Sequence, residues 1–160
     1  MLGRDRSVLS FFKEHKSTGG RSPSRDSVRV LIVDDEEPVR TFVQRVVAHG
    51  HYQTMVAADG PEALAVAAHH GPFDLLLTDL MMPGMSGDEL AQHLRETDPS
   101  LKVLYLTGFS ERLFKEQVTL KDGEAFLDKP CTVKALLQAV SLLLFGRFID
   151  PPLVTSVVQR

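Results

Sequence analysis

Five side chains stand where they could do chemistry together: the acids Asp34, Asp35 and Asp79, the hydroxyl of Thr107 and the ammonium of Lys129. Each lies at the end of a short apolar run. Taken singly, each has an ordinary explanation, because acids cap helices, threonines close strands and lysines are solvated. Taken jointly they describe a site. Three clustered carboxylates repel one another and raise their own pKa values unless a cation sits among them. Hard oxygen donors suit Mg²⁺, which keeps several waters and is held by one or two carboxylates plus phosphate. Cys131 is the sole cysteine and the histidines are scattered, so nothing selects zinc instead. Such a metal would neutralise an incoming phosphoryl group. Lys129 and Thr107 would hold its equatorial oxygens during in-line transfer. One carboxylate would then be the nucleophile and form an acyl phosphate.

The elements that must position these groups are legible as alternating strands and helices. Val28–Val33 is a β-branched run of the kind a buried parallel strand requires. Glu37–His49 carries Val39, Phe42, Val43, Val46 and Val47 at helical spacing, and Gly50 stops it. Tyr52–Ala57 is a second strand. Pro61–His69 is an alanine-rich helix with proline in its first turn, ended by Gly71-Pro72. Phe73–Thr78 is a third strand, delivering Asp79. Ser86–Glu96 is a helix broken by Asp98-Pro99. Lys102–Leu106 is a fourth strand ending at Thr107. A helix is expected over 111–118, a short fifth strand over 125–127, and a last helix from a Thr132 cap to about Phe145. Five strand–helix units predict an α/β fold, a doubly wound (βα)₅ five-stranded parallel sheet with helices on both faces. Ligands of such sheets bind beyond the carboxyl ends of the strands, where all five groups fall.

Composition limits the alternatives. The 43% hydrophobic and 24% charged content is that of an ordinary globular chain. Residues 1–27 hold six Lys/Arg against three acids, so of the net charge of −3 the remainder carries −6. That acidic body argues against nucleic-acid binding by the main domain. No apolar run has the length of a membrane span. A single cysteine permits no internal disulfide, and a cytoplasmic location is expected. Three segments follow: a flexible basic extension over 1–27, a domain over 28–146 and a short tail over 147–160. Within the extension, Val8–Lys16 has some amphipathic character but reads better as a solvated tail.

The residues Asp34-Asp35, then Asp79-Leu-Met-Met-Pro-Gly-Met-Ser-Gly87, then Leu106-Thr107-Gly108, then Phe126-Leu-Asp-Lys129-Pro130 resemble the receiver domain of two-component response regulators. The resemblance covers about 28–146, and its wording is reminiscent of receivers attached to hybrid histidine kinases. It implies a flavodoxin-like fold in which Asp79 is phosphorylated by a histidine kinase or phosphotransfer protein. It further implies Mg²⁺ held by Asp35, Asp79 and the Met81 backbone carbonyl, with Asp34 acting through a water. Thr107 would be the switch hydroxyl, Lys129 the phosphoryl partner, and Phe126 the switch aromatic. The Lys129–Pro130 bond is expected to be cis. Output would leave by the face made of the 111–118 helix, the fifth strand and the last helix, or by a homodimer through that face or the last helix. Such a protein is not an enzyme beyond its own phosphorylation and slow dephosphorylation.

Departures from the pattern are few. Phe126 lacks a tyrosine hydroxyl, Met81 is apolar where many receivers are polar, and Cys131 replaces a common aromatic. Met82 and Met85 are expected to pack beneath the loop after Asp79. His69 and His70 read as solvated, and Leu142–Phe145 as covered by the C-terminal segment in preference to a dimer seam. Two other readings compete. One is a docking or dimerisation module of the same fold that works without phosphorylation; the intact five-residue site speaks against it. The other is a haloacid-dehalogenase-type phosphatase, which needs an acid two residues after its nucleophile. Met81 stands there instead.

Overall fold

The computed structural model describes residues 25–108 and 120–147. The expected 111–118 helix, the amphipathic stretch over 8–16 and most of both terminal segments therefore lie outside the described residues. A short 3₁₀ turn, Arg25–Ser27, leads into β1 (Arg29–Val33), α1 (Glu37–His49), β2 (Gln53–Ala57), α2 (Gly60–His70), β3 (Leu75–Asp79), α3 (Gly87–Thr97), β4 (Lys102–Thr107), β5 (Glu124–Asp128) and α4 (Val133–Phe145). The strands form one parallel sheet in the order β2-β1-β3-β4-β5. The fold is flavodoxin-like α/β, as its residue pattern required.

Alternate strand residues enter opposite cores, which is why the strands read as continuous apolar runs. Val30, Ile32, Leu75, Leu77, Leu104, Leu106, Ala125 and Leu127 pack with α1 and α4. Leu31, Val33, Leu76, Val103, Tyr105 and Phe126 pack on the other face with α2 and α3. α1 buries Val43, Val46 and Val47 but leaves Phe42 exposed, so the apolar stripe is narrower than its sequence spacing suggests.

Helix boundaries follow local chemistry. Asp59 caps α2 by accepting from the Glu62 N–H at 2.8 Å, while Glu62 reaches back to the Ala58 N–H. Thr132 accepts from the Ala135 N–H at 3.0 Å to start α4, and Gly146 ends that helix at φ +67°. Gly50 ends α1 for a different reason than a left-handed turn. Its φ is −72°, and the residue at positive φ is His51. A Cβ at Gly50 would lie 2.8 Å from Leu137 Cδ2 and 3.0 Å from the Tyr52 ring, so close packing excludes a side chain.

β1 and β2 each begin one residue later than expected and β4 takes in Thr107, while β3 and β5 differ further at their ends. β3 begins at Leu75 and not at Phe73, since the Asp74 carboxylate accepts from the Arg29 N–H at 2.8 Å ahead of the first ladder pair. β5 gains Glu124 and Asp128, because β4 pairs with it from Val103–Glu124 to Thr107–Asp128. Met82 is buried, and Met85 packs against Gly60 and the α2–α3 core. Leu143, Leu144 and Phe145 are half-buried against the α1–α4 core.

At the amino end of β4 and β5, one guanidinium ties three segments together. Arg95 donates to the Leu101 carbonyl at 2.8 and 2.9 Å, to the Asp122 carbonyl at 3.2 Å and to Glu124 at 3.0 Å. Glu124 also accepts from the Lys121 N–H and the Tyr105 hydroxyl. Burial, then the neighbouring Glu124 charge, pushes the Tyr105 phenol far up, so it stays a donor. Arg95→Ala would strand a buried carboxylate and two carbonyls. Urea unfolding should show a loss of about 3 kcal/mol, with Arg95→Lys recovering little because an ammonium cannot span the fork. A loss under ~0.5 kcal/mol would show that the cluster behaves as a solvated surface pair.

Candidate functional site

The sheet order reverses direction at β1, with β2 on one side and β3 on the other. A crevice must open there, beyond the carboxyl ends of β1 and β3. β1 feeds Asp34-Asp35 into that crevice and β3 ends in Asp79. Asp34, Asp35 and Asp79 each offer a carboxylate oxygen within 4.8 Å of the others. Asp34 and Asp79 are buried and Asp35 is exposed. Lys129, one residue past β5, crosses the strand ends to meet them. Its Nζ donates to Asp34 Oδ2 at 2.7 Å and to Asp79 Oδ2 at 3.2 Å.

The carboxylates of Asp34 and Asp79 are also held by backbone. Asp34 Oδ1 accepts from the Glu36 N–H at 2.9 Å and thereby organises the start of α1. Asp79 Oδ1 accepts from the Met81 N–H at 3.2 Å. The Lys129–Pro130 peptide is cis, and the Lys129 N–H donates to the Thr107 carbonyl at 3.0 Å. Thr107 is fully buried at the end of β4, one position beyond Leu106, the partner of Asp79. Its neighbour Gly108 is exposed.

Phe126 stands apart from this cluster. It lies on the α2–α3 side of β5, buried, with its ring centroid 5.4 Å from that of Tyr105. The side chain of Met81 is half exposed at the mouth.

Two contributors were not singled out from sequence. Arg40 donates to the Asp34 backbone carbonyl at 2.7 Å, fixing the turn that presents both acids. Nothing in the sequence distinguishes it from any other arginine on a helix. Gly87 packs on the nucleophile candidate's own backbone: a Cβ there would lie 2.2 Å from the Asp79 carbonyl oxygen. Its signal was present, as the glycine that closes the segment after Asp79.

Electrostatics follow from burial. Desolvation is the largest influence on Asp79 and raises its pKa; the Asp34 charge adds to this, while Lys129 and the Met81 N–H oppose it. Burial works against the Lys129 ammonium, but its hydrogen bond and attraction to Asp34, then to Asp79, outweigh that and raise it. Burial pushes the Cys131 thiol up, so it is a poor thiolate despite its place beside Lys129-Pro130. The nest therefore has more negative charge than one lysine offsets. All-oxygen donors, one of them exposed, suit a hard divalent ion that retains water. Among the described residues no other acidic, histidine or cysteine cluster has such convergence.

Residues 30–141 match the family model described as the response regulator receiver domain. The chain belongs to that family. Within it, the receiver domain is 34% identical over 119 residues to Sensor kinase CckA of Brucella abortus (strain 2308), covering 74% of this chain and 13% of that protein. It is 38% identical over 120 residues to Response regulator MprA of Mycobacterium bovis (strain BCG / Pasteur 1173P2), covering 74% and 51%. The chain thus spans about half or less of the length of these curated relatives. The crystal structure of the receiver domain from Hybrid Histidine Kinase CckA matches with a TM-score of 0.62 at 33% identity, over 72% of this chain and 98% of that one. Chemotaxis response regulator CheY4 of Vibrio cholerae matches with a TM-score of 0.64 at 31% identity, over 73% and 98%. No helix among the described residues is long and apolar enough to cross a membrane.

The raised Asp79 pKa sets a sign for stability. The folded, metal-free receiver holds the Asp79 proton more tightly than the unfolded chain does. Its contribution to stability is therefore present at low pH, falls as pH rises from the ordinary aspartate range through the raised value, and stays unfavourable above it. Asp79→Asn should make the metal-free protein more stable at neutral pH, a gain that fades in acid. Equal or lower stability of this variant at neutral pH, measured by urea unfolding in EDTA, would mean that burying the Asp79 charge carries no net cost.

Proposed function

We propose that this receiver domain accepts a phosphoryl group on Asp79 from a phosphohistidine of a histidine kinase or phosphotransfer protein. The observation that carries the reading is the Lys129 ammonium shared between Asp34 and Asp79, with Asp35 in the same nest. Receiver domains of two-component systems bind Mg²⁺ at such an acidic pocket. Here Asp35, Asp79 and the Met81 carbonyl would hold it, with Asp34 acting through water. Bound there, it would offset the charge of carboxylate and phosphate together.

The chain's own groups do the rest. An Asp79 carboxylate oxygen attacks phosphorus, forming the Oδ–P bond as the P–N bond of the phosphohistidine breaks; its electron pair returns to the imidazole. Lys129 exchanges an Asp79 contact for a phosphoryl oxygen, keeping its hold on Asp34. The Thr107 hydroxyl donates to a second phosphoryl oxygen. Because Thr107 sits beside Leu106 and Tyr105, whose ring meets Phe126, its movement is relayed to the α2–α3 side of β5. The output surface is then the face comprising the residues after β4, β5 itself and α4. Exposed Met81 and Val133 follow Asp79 and Lys129 by two and four residues, giving an apolar rim for a protein phosphodonor. The domain so used spans 28–146, flanked by extensions over 1–27 and 147–160.

Incubation with acetyl phosphate or beryllofluoride and Mg²⁺ tests this by mass and spectral change. An adduct that disappears in Asp79→Ala is the expected result. Turnover of free phosphoesters would favour a phosphatase, and absence of any adduct would favour a docking module that ignores phosphate. A second expectation concerns Met81, whose apolar side chain cannot orient a water against the acyl phosphate. Met81→Asn should shorten the phosphorylated lifetime several-fold, followed by loss of label after donor removal; an unchanged lifetime would dismiss this role.

A further inference from the structure

At the end of the sheet opposite the acidic nest, a half-open cavity of about 670 Å³ lies between α2 and α3. Its walls are apolar: Ala67 and Ala68 from α2, Phe73 and Leu76 at β3, and Leu94 and Leu101 around α3 and β4. It exists because the last turns of α2 present alanine where larger side chains would close the gap to α3. A cavity of this size and lining is one that takes an apolar occupant.

The chain itself supplies a candidate occupant. Arg29, the first residue of β1, donates from its guanidinium to the Pro72 carbonyl at 2.9 Å and lies 5.0 Å over the Phe73 ring. Pro72 and Phe73 both line the cavity, so β1 begins within one side chain's reach of the cavity wall, while the turn before it is held to Gln53 at the start of β2. The segment preceding β1 includes Val8-Leu9-Ser10-Phe11-Phe12, an apolar patch in an otherwise polar, basic stretch. Twelve residues, 13–24, separate it from the described chain, and they can span up to about 40 Å. A tether of that kind holds its cargo at roughly millimolar effective concentration, so even a weak contact is populated. Charge favours the same meeting: the segment is net positive, the body is net negative, and Asp98 lies on the cavity's rim.

We propose that Val8–Phe12 docks in the cavity between α2 and α3 of its own chain, making that cavity an intramolecular binding site. The chain has no tryptophan, so a single Phe11→Trp or Phe12→Trp substitution in the full chain reports the segment's environment without background. Blue-shifted emission shielded from acrylamide is expected from at least one of them. Adding Ala67→Leu, which fills the cavity, should expose the probe. Adding Ala68→Lys, at an exposed rim position that tolerates charge, should do the same by repelling the basic segment. Far-UV circular dichroism confirms that each variant is folded. Solvent-exposed emission from both probes in the otherwise unaltered chain would overturn the proposal. So would shielding that survives both cavity substitutions, or shielding that appears only as protein concentration rises, which would assign the site to a second copy.

Discussion

Mutual repulsion among carboxylates is the constraint around which this domain is organised. A sheet edge that brings Asp34, Asp35 and Asp79 within 4.8 Å of one another stores unfavourable electrostatic energy, and burial of two of them increases it. One lysine cannot cancel that field, though it can shape it. Lys129 reaches its place from the far side of the sheet order, so the ion pair holds only if β5, β4, β3 and β1 are all in register. The residual negative charge is what a divalent cation and then a phosphoryl group would relieve. Fold and chemistry therefore share a single electrostatic requirement.

The backbone around the nest is arranged to keep the acids close despite their repulsion. Asp34 is pinned from three directions: its side chain by the Glu36 N–H and Lys129, and its carbonyl by Arg40. Asp79 is backed by Gly87, whose missing side chain lets the start of α3 sit directly on the Asp79 carbonyl. Hydrogen bonds to fixed N–H groups cost no further ordering once the strands have formed.

Much of this was legible in the residues. The strands show because both sheet faces are buried, so each reads as an unbroken apolar run. The acids, Thr107 and Lys129 show because the polar residue closing each run marks a strand end, and strand ends of a parallel sheet converge. What stayed hidden depends on distances between segments far apart in sequence. Arg40 looks like any surface arginine until its guanidinium is found on a carbonyl. Gly50 suggests a left-handed helix end, whereas its smallness serves contact with Leu137 and Tyr52. Phe42 belongs to an apolar helical stripe by spacing, yet it lies exposed, outside the face that α1 buries through Val43, Val46 and Val47. The Arg95 cluster was likewise invisible, since Glu124 reads as a solvated acid until Lys121, Tyr105 and Arg95 are seen to surround it.

That cluster fixes only one end of the β4–β5 pair. At the amino end, Arg95 clasps the turn before β4 and the turn before β5 to the last coil of α3. At the carboxyl end, the two strands are joined to each other through the Lys129 N–H and the Thr107 carbonyl, and to the rest of the sheet by the β3–β4 ladder, which runs to the Asp79–Leu106 pair, and by the Lys129 ion pairs with Asp34 and Asp79. Beyond that last β3–β4 pair only a short overhang remains: Thr107, its partner Asp128 and the Lys129 that follows. A change of charge in the nest therefore acts on that overhang, where Thr107 and Lys129 sit, and not on the length of the β4–β5 ribbon.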